Sequence, residues 1–240
     1  SHPENPERLE TALNSLKKHG LTEYLAFAEV SEPDDSVLKV HDREYVEWVR
    51  SECSKGFHYI DSDTYVTPDT YRVAAIFSAT AKRAAVESAE RGEMWFILPR
   101  PPGHHAGVRG RALGAPTLGF CIFNHVAVAT RALLDLDSSR RVLVLDFDAH
   151  HGNGTQEIFW RDPRVVHVDV HEAGIYPGTG GVWDIGGGEG AGSKINVPLE
   201  PYTGDGVYFW VLENIVKPLV EKYKFKAVLV SAGFDSYIGD

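Results

Sequence analysis

The sequence predicts an α/β fold built on an open, mostly parallel sheet with helices on both faces. Three observations lead there. Short apolar runs rich in branched residues recur in the second half: "RVLVLDFD" (141–148), "VVHVDV" (165–170) and "KAVLVSAG" (226–233). Helix-patterned segments alternate with them. Strands covered on both faces read as continuous apolar runs, and strand–helix alternation is the pattern of a parallel sheet. Each run also ends in polar residues, and open α/β sheets bind ligands at the carboxyl ends of their strands.

In chain order, "NPERLETALNSLKKHG" (5–20) reads as a surface helix. Asn5 is placed to cap it, Pro6 stands at its first position, Leu9, Leu13 and Leu16 recur at helical spacing, and Gly20 stops it. "DREYVEWVRSECSKG" is a second helix starting near Asp42, and the Ala-rich "TPDTYRVAAIFSATAKRAAVESAERG" (67–92) a third. "MWFILP" (94–99) reads as a short buried strand and "HVAVATRALLDL" (125–136) as a helix. "TQEIFW" is a helical turn. "GVYFWVLENIVKPLVEKY" (206–223) is a helix expected to end or bend near Pro218. The glycine-rich "GTGGVWDIGGGEGAG" (178–192) is a long loop. No linker or repeat interrupts the chain, so one domain spanning 1–240 is expected.

Bulk properties exclude several classes. Formal net charge is −10, against the basic surface of a direct nucleic-acid binder and mildly in favour of cationic ligands. No run approaches the ~20 apolar residues of a membrane helix, and there is no signal-like start. Two cysteines, Cys53 and Cys121, make no disulfide framework, so a reducing, cytoplasmic setting is expected.

The polar strand ends carry the chemistry. "RPPGHHAG" supplies His104 and His105. "LDFDAHHGNG" supplies Asp146, Asp148, His150 and His151. "VVHVDVH" supplies Asp169 and His171, and "SAGFD" supplies Asp235. Buried charge is costly unless something pairs with it. Asp148 and His150 lie two apart, on one face of an extended segment. Carboxylate and imidazole are ordinary zinc ligands, and a third from another strand, such as Asp235, would leave a fourth position open, as in catalytic zinc sites. Each piece alone has a structural reading: a D-x-D at a strand end caps or turns, and Asp235 could cap a turn beyond Gly233.

The blocks "RPPGHHAG", "GFCIFN", "LDFDAHHGNGTQEIF", "YPGTG" and "SAGFDSYIGD" together resemble the zinc-dependent histone deacetylase superfamily, which includes acetylpolyamine amidohydrolases and acetoin-utilisation proteins. The likeness runs from "HPENPERL" to the last residue, and the Pro-Pro before the His pair and Asn153 are closest to the class II and bacterial or archaeal branch. It implies an arginase/deacetylase-like sheet and removal of acetyl or related acyl groups from lysine side chains, acetylated polyamines or other small amines. Zinc would fall on Asp148, His150 and Asp235. His105 would be the general base and His104 its more buried partner, oriented by Asn153 and Asp146 respectively. A neutral amide stabilises an imidazolium less than a carboxylate does, so His105 should hold its proton less tightly than His104.

Phe120 and Tyr176 match the aromatic walls of an acyl-lysine tunnel, with Gly119 allowing close approach. Asp69 matches a residue that holds the substrate backbone. One monovalent cation, K+ or Na+, would use Asp146, main-chain oxygens of Asp148 and His150, and Asp169 with Val170. A second would use carbonyls near Phe159, Asp162 and Val165. The family's oxyanion Tyr stands in a Gly-Gly-Tyr motif beyond "SAGFDSYIGD". The chain is therefore expected to be truncated before it, with sheet-covering elements missing, apolar surface exposed and activity poor, since one lost oxyanion donor costs roughly 10²–10³ in rate. Two other readings compete: a non-catalytic acyl-lysine or metal-binding relative, and a metallophosphoesterase suggested by D-x-D-x-H-H-G-N, which would need two metals and further ligands. Oligomerisation is left open.

Overall fold

The computed structural model describes residues 2–239, so Ser1 and Asp240 lie outside the described residues. The central feature is a four-stranded, all-parallel sheet. Its strands are β5 (Val142–Asp146), β6 (Val165–Glu172), β7 (Lys194–Leu199) and β8 (Ala227–Ser231), in the spatial order β7-β6-β5-β8. Two short antiparallel pairs, β1 (His58–Tyr59) with β2 (Tyr65–Val66) and β3 (Ala106–Gly107) with β4 (Gly110–Arg111), lie in the loops of the first half.

Helices cover both faces. On one, Val142, Val144 and Val165 pack against Ala127, Val128, Leu133 and Leu134 of α4 (His125–Leu136). On the other, Leu143, Val166, Val168 and Val170 meet Val211 and Val216. Those two come from the last helical segment, which runs as α6 (Asp205–Val211), a wide π-helical turn (Leu212–Val216) and α7 (Lys217–Tyr223). Because β5 is buried on both sides, its sequence has no polar alternation until its end. The expected bend at Pro218 takes the form of that widened turn, which ends at Val216, two residues before the proline that has no N–H to donate.

The first-half helices follow their sequence signals. α1 (Glu7–Lys18) is preceded by Asn5, whose Oδ1 accepts from Glu7 N at 2.9 Å, while Pro6 takes the capping position. Gly20 ends the segment at φ 69°. α2 (Arg43–Ser54) starts after Asp42, and α3 (Thr70–Arg91) stops at Gly92, φ 71°. α5 (Asn153–Ile158) follows the glycine break after β5.

One strand expectation needs correction, and one strand is additional to those expected. Residues 94–99 form no strand: Met94 is 99% and Phe96 54% exposed. An apolar run becomes a strand only when a neighbouring backbone completes its hydrogen bonds, and among the described residues none does. β7 has no counterpart among the expected elements, and it contains Pro198. Pro198 is tolerated because β7 is an edge strand of the described sheet. At the opposite edge, β8 leaves Val228 and Val230 about half exposed, and Phe209 and Trp210 of α6 are also exposed. No helix among the described residues is long and apolar enough to cross a membrane.

Candidate active site

The parallel register brings the strand ends together. Asp146 at the end of β5 pairs in register with Asp169 of β6 on one side and with Ser231 of β8 on the other. Just beyond, the chain turns through Asp148 and His150, and the loop after β8 supplies Asp235. His150 Nδ1 lies 3.1 Å from Asp148 Oδ1 and 2.8 Å from Asp235 Oδ2. One donor atom from each of the three falls within 4.8 Å of the others. Asp235 Oδ1 accepts from Ala149 N at 2.9 Å, which ties the two loops. Gly233 lies so close that a Cβ there would collide with the Asp148 carboxylate.

His104 and His105 arrive on an anchored loop rather than from a strand. Arg100 pairs with the buried Glu4, and His125 Nε2 donates to Pro101 O at 3.1 Å. Behind the pair, Thr155 N of α5 donates to His104 O, and Asn124 Nδ2 donates to Ala106 O, both at 3.1 Å. A Cβ on Gly154 would come within 2.5 Å of this backbone, so α5 packs directly under it.

The two imidazoles lie tilted at 45° to each other with centroids 4.0 Å apart but differ in charge. His104 Nδ1 is 2.9 Å from Asp146 Oδ2. Burial alone would lower its pKa, but the Asp146 and Asp148 carboxylates outweigh that and push it up to about 10. His105 Nδ1 donates to Asn153 Oδ1 at 2.8 Å, which leaves Nε2 free. Burial, and then the charge on His104, hold its pKa well below the ordinary imidazole value. Asn153 is itself oriented, since Nδ2 donates to Ala112 O at 2.9 Å. Burial raises Asp146 to about 7, with the neighbouring Asp169 adding to the effect while His104 opposes it. His150 is raised to about 9 by its hydrogen bonds to Asp148 and Asp235.

The Tyr176 ring stands edge-on to His105, centroids 4.9 Å apart, and its hydroxyl donates to Thr117 O at 3.0 Å. Gly119, at φ 55°, fits between them: a Cβ would reach 2.5 Å from His105 Cδ2 and 2.8 Å from the Tyr176 hydroxyl. The half-buried Phe120 meets His2 edge-on at 5.0 Å. Asp69 is exposed at the start of α3, and among the described residues its side chain makes no hydrogen bond.

The cation expectations divide. Asp146 and Asp169 do converge, with His167 joining them. Val170 turns its side chain to the opposite face, leaving only its main chain on offer. At the second cluster, Lys194 Nζ donates to Val165 O at 2.8 Å and to Asp162 O at 3.4 Å, so this chain's own ammonium lies against two of the carbonyls named for a second ion. The Phe159 carbonyl accepts from Asp162 N at 3.1 Å. Burial lowers Lys194 to about 8, still charged in most molecules at neutral pH. Replacing it leaves buried acceptors without their donor. Lys194→Met is therefore expected to cost roughly 1–3 kcal/mol, read as a lower urea midpoint at unchanged slope. An unchanged midpoint would contradict this.

Sequence reading missed His167 and Lys194. A signal existed for the first: His167, Asp169 and His171 alternate in "VVHVDVH", which puts three polar groups on one face of β6.

This geometry has counterparts. The family model described as "Histone deacetylase domain" matches residues 2–240, and the chain belongs to that family. A "Probable deacetylase" of Archaeoglobus fulgidus is 38% identical over all of this chain and 66% of its own length. A "Histone deacetylase-like amidohydrolase" of Pseudomonas aeruginosa is 35% identical, over 98% of this chain and 61% of its own length. The crystal structure of the HDA15 HD domain superposes with a TM-score of 0.90 at 34% identity, over the whole of this chain and 70% of that one. The chain thus spans about two thirds of the length of the curated relatives it matches.

Proposed function

We propose that this single domain is an amidohydrolase that removes acetyl, or related acyl, groups from lysine side chains or small acetylated amines, with a zinc ion held by Asp148, His150 and Asp235. The observation that carries this reading is the placement of a neutral, amide-oriented imidazole, His105, beside a converging Asp–His–Asp donor set. The donors suit the ion: two carboxylates and one imidazole match catalytic zinc chemistry, and one donor atom of each lies within 4.8 Å of the other two.

Zinc bound there would lower the pKa of a bound water to about 7 and polarise the acyl carbonyl. The remaining work falls to the chain. His105 takes the water proton at Nε2, because its Nδ1–H is committed to Asn153, and later delivers a proton to the leaving amine nitrogen. His104 stays charged on Asp146 and keeps the second imidazole neutral. Tyr176 and Phe120 form the walls that receive the acyl-amine, Gly119 allows its approach, and Asp69 holds the substrate backbone. Buried, unpaired Cys53 and Cys121 agree with a reducing compartment such as the cytoplasm.

Turnover of a fluorogenic acetyl-lysine peptide and of an acetylated polyamine, with zinc measured in the same sample, tests this. Zinc-dependent release of acetate supports it; a zinc-loaded chain inert on every acyl-amine overturns it. The role of Asn153 has its own test. Asn153→Asp places a carboxylate against His105 and should raise its pKa by roughly one to three pH units. A base must be neutral to act, so the acidic limb of the rate profile should move to higher pH by that amount. An unmoved limb would remove His105 from the role of base.

A further inference from the structure

We propose that Asp146, His167 and Asp169 form a second metal site, built for a divalent transition ion such as zinc rather than for the alkali ion that the resemblance implies. It shares no ligand with the Asp148 centre and does not depend on it. The three residues are fully buried, and one donor atom from each lies within 4.8 Å of the other two. The fold makes the cluster: Asp146 and Asp169 are register partners on β5 and β6, and His167 is two residues before Asp169 on the same face.

The deciding residue is His167. It is 1% exposed, and neither ring nitrogen has a hydrogen-bond partner. Its Nε2 faces the Asp169 carboxylate, 3.4 Å from Oδ2. Buried polar atoms are almost always paired, and an orphaned one is destabilising. A metal on that nitrogen resolves the deficit. Imidazole nitrogen suits zinc, copper, iron or nickel, whereas alkali and alkaline-earth ions are held by oxygen.

The carboxylates are prepared in the same way. Asp169 Oδ1 accepts from His171 Nδ1 at 2.6 Å and Oδ2 from Gly152 N at 2.8 Å. Asp146 Oδ2 is bonded to His104 and Oδ1 accepts from Asp148 N at 3.2 Å. Each oxygen is therefore fixed by one donor and keeps lone-pair capacity for an ion, the usual outer support of a metal ligand. Gly152 keeps the space open: a Cβ there would lie 2.5 Å from Asp146 Oδ2 and 3.0 Å from Asp169 Oδ2. The nearby Lys194 ammonium does not compete, being bound to the Asp162 and Val165 carbonyls.

Metal counting by plasma mass spectrometry on the full chain, loaded with zinc and desalted, tests the site. Two zinc ions per chain are expected, falling to one in His167→Leu and to one in Asp235→Ala. A wild-type count of one that His167→Leu retains overturns the proposal, and potassium found in place of the second zinc does so in favour of an alkali site. If His167→Leu does not fold, Asp169→Asn is used instead: one ion supports the site and two overturn it. Failure of the Asp148 centre looks different, because the count would then be unchanged in Asp235→Ala.

Discussion

Asp235→Ala is expected to abolish zinc binding at the Asp148 centre, whereas His105→Ala is expected to keep that zinc and lose activity by roughly 10²–10⁴. The two residues lie in one pocket but act differently. Asp235 is one of the three metal-ligating side chains that converge there among the described residues, with its Oδ2 2.8 Å from His150 Nδ1. Removing it leaves two ligands, and it also frees Ala149 N, which the other carboxylate oxygen holds at 2.9 Å. His105 ligates nothing in this reading. Its Nδ1 is bonded to Asn153, and its ring is clasped by Tyr176 and His104. Truncating it deletes the proton acceptor and leaves the donor set untouched. Zinc content and acetyl-lysine turnover, measured on both variants, separate the roles. Zinc retained in Asp235→Ala would sink the ligand assignment, and activity retained in His105→Ala would sink the base.

The parts of this site legible in the sequence are those encoded locally. Asp148 and His150 share a short segment, and the strand before them is apolar on both faces because α4 and α6–α7 cover it. Continuous burial leaves a pattern that can be read without knowing the neighbours. The parts that were not legible depend on pairing across the chain. Residues 94–99 have strand composition, but a strand needs a partner backbone, and composition does not carry that information. β7 contains Pro198, which argues against a strand until the edge position is known. Lys194 reads as a surface residue, as lysines usually do, and only the register His167↔Lys194 shows it turned inward onto the carbonyls of Asp162 and Val165. For His167 the alternation with Asp169 and His171 shows a shared face of β6, but only the β5–β6 register places Asp146 beside that face.

Acid is expected to destabilise the fold between about pH 6.5 and pH 4, through His41 and His125. Both anchor the loop that carries the His pair. His41 Nδ1 donates to Gly107 O at 2.8 Å while its Nε2 accepts from Asn124 N at 2.9 Å. That second bond exists only for the neutral ring, since a protonated Nε2 would face another donor. His125 bridges Ser78 Oγ at 2.9 Å and Pro101 O at 3.1 Å. Burial lowers each to about 4, with the carbonyl contacts opposing. An unfolded chain protonates them near 6.5, so between 6.5 and 4 the unfolded state binds more protons. Stability therefore rises with pH across that window and is lost as pH falls through it, by on the order of 3 kcal/mol per histidine over the full interval. Asp146, held near 7, acts in the opposite direction as pH falls, so the total slope alone does not identify the source. A difference measurement does. His41→Gln keeps an amide donor for Gly107 and an acceptor for Asn124 but cannot titrate. Urea unfolding from pH 4.5 to 7.5 should show a shallower loss in this variant than in the parent. Parallel curves would mean that His41 is already charged in the folded protein, and the anchoring of the catalytic loop would need another explanation.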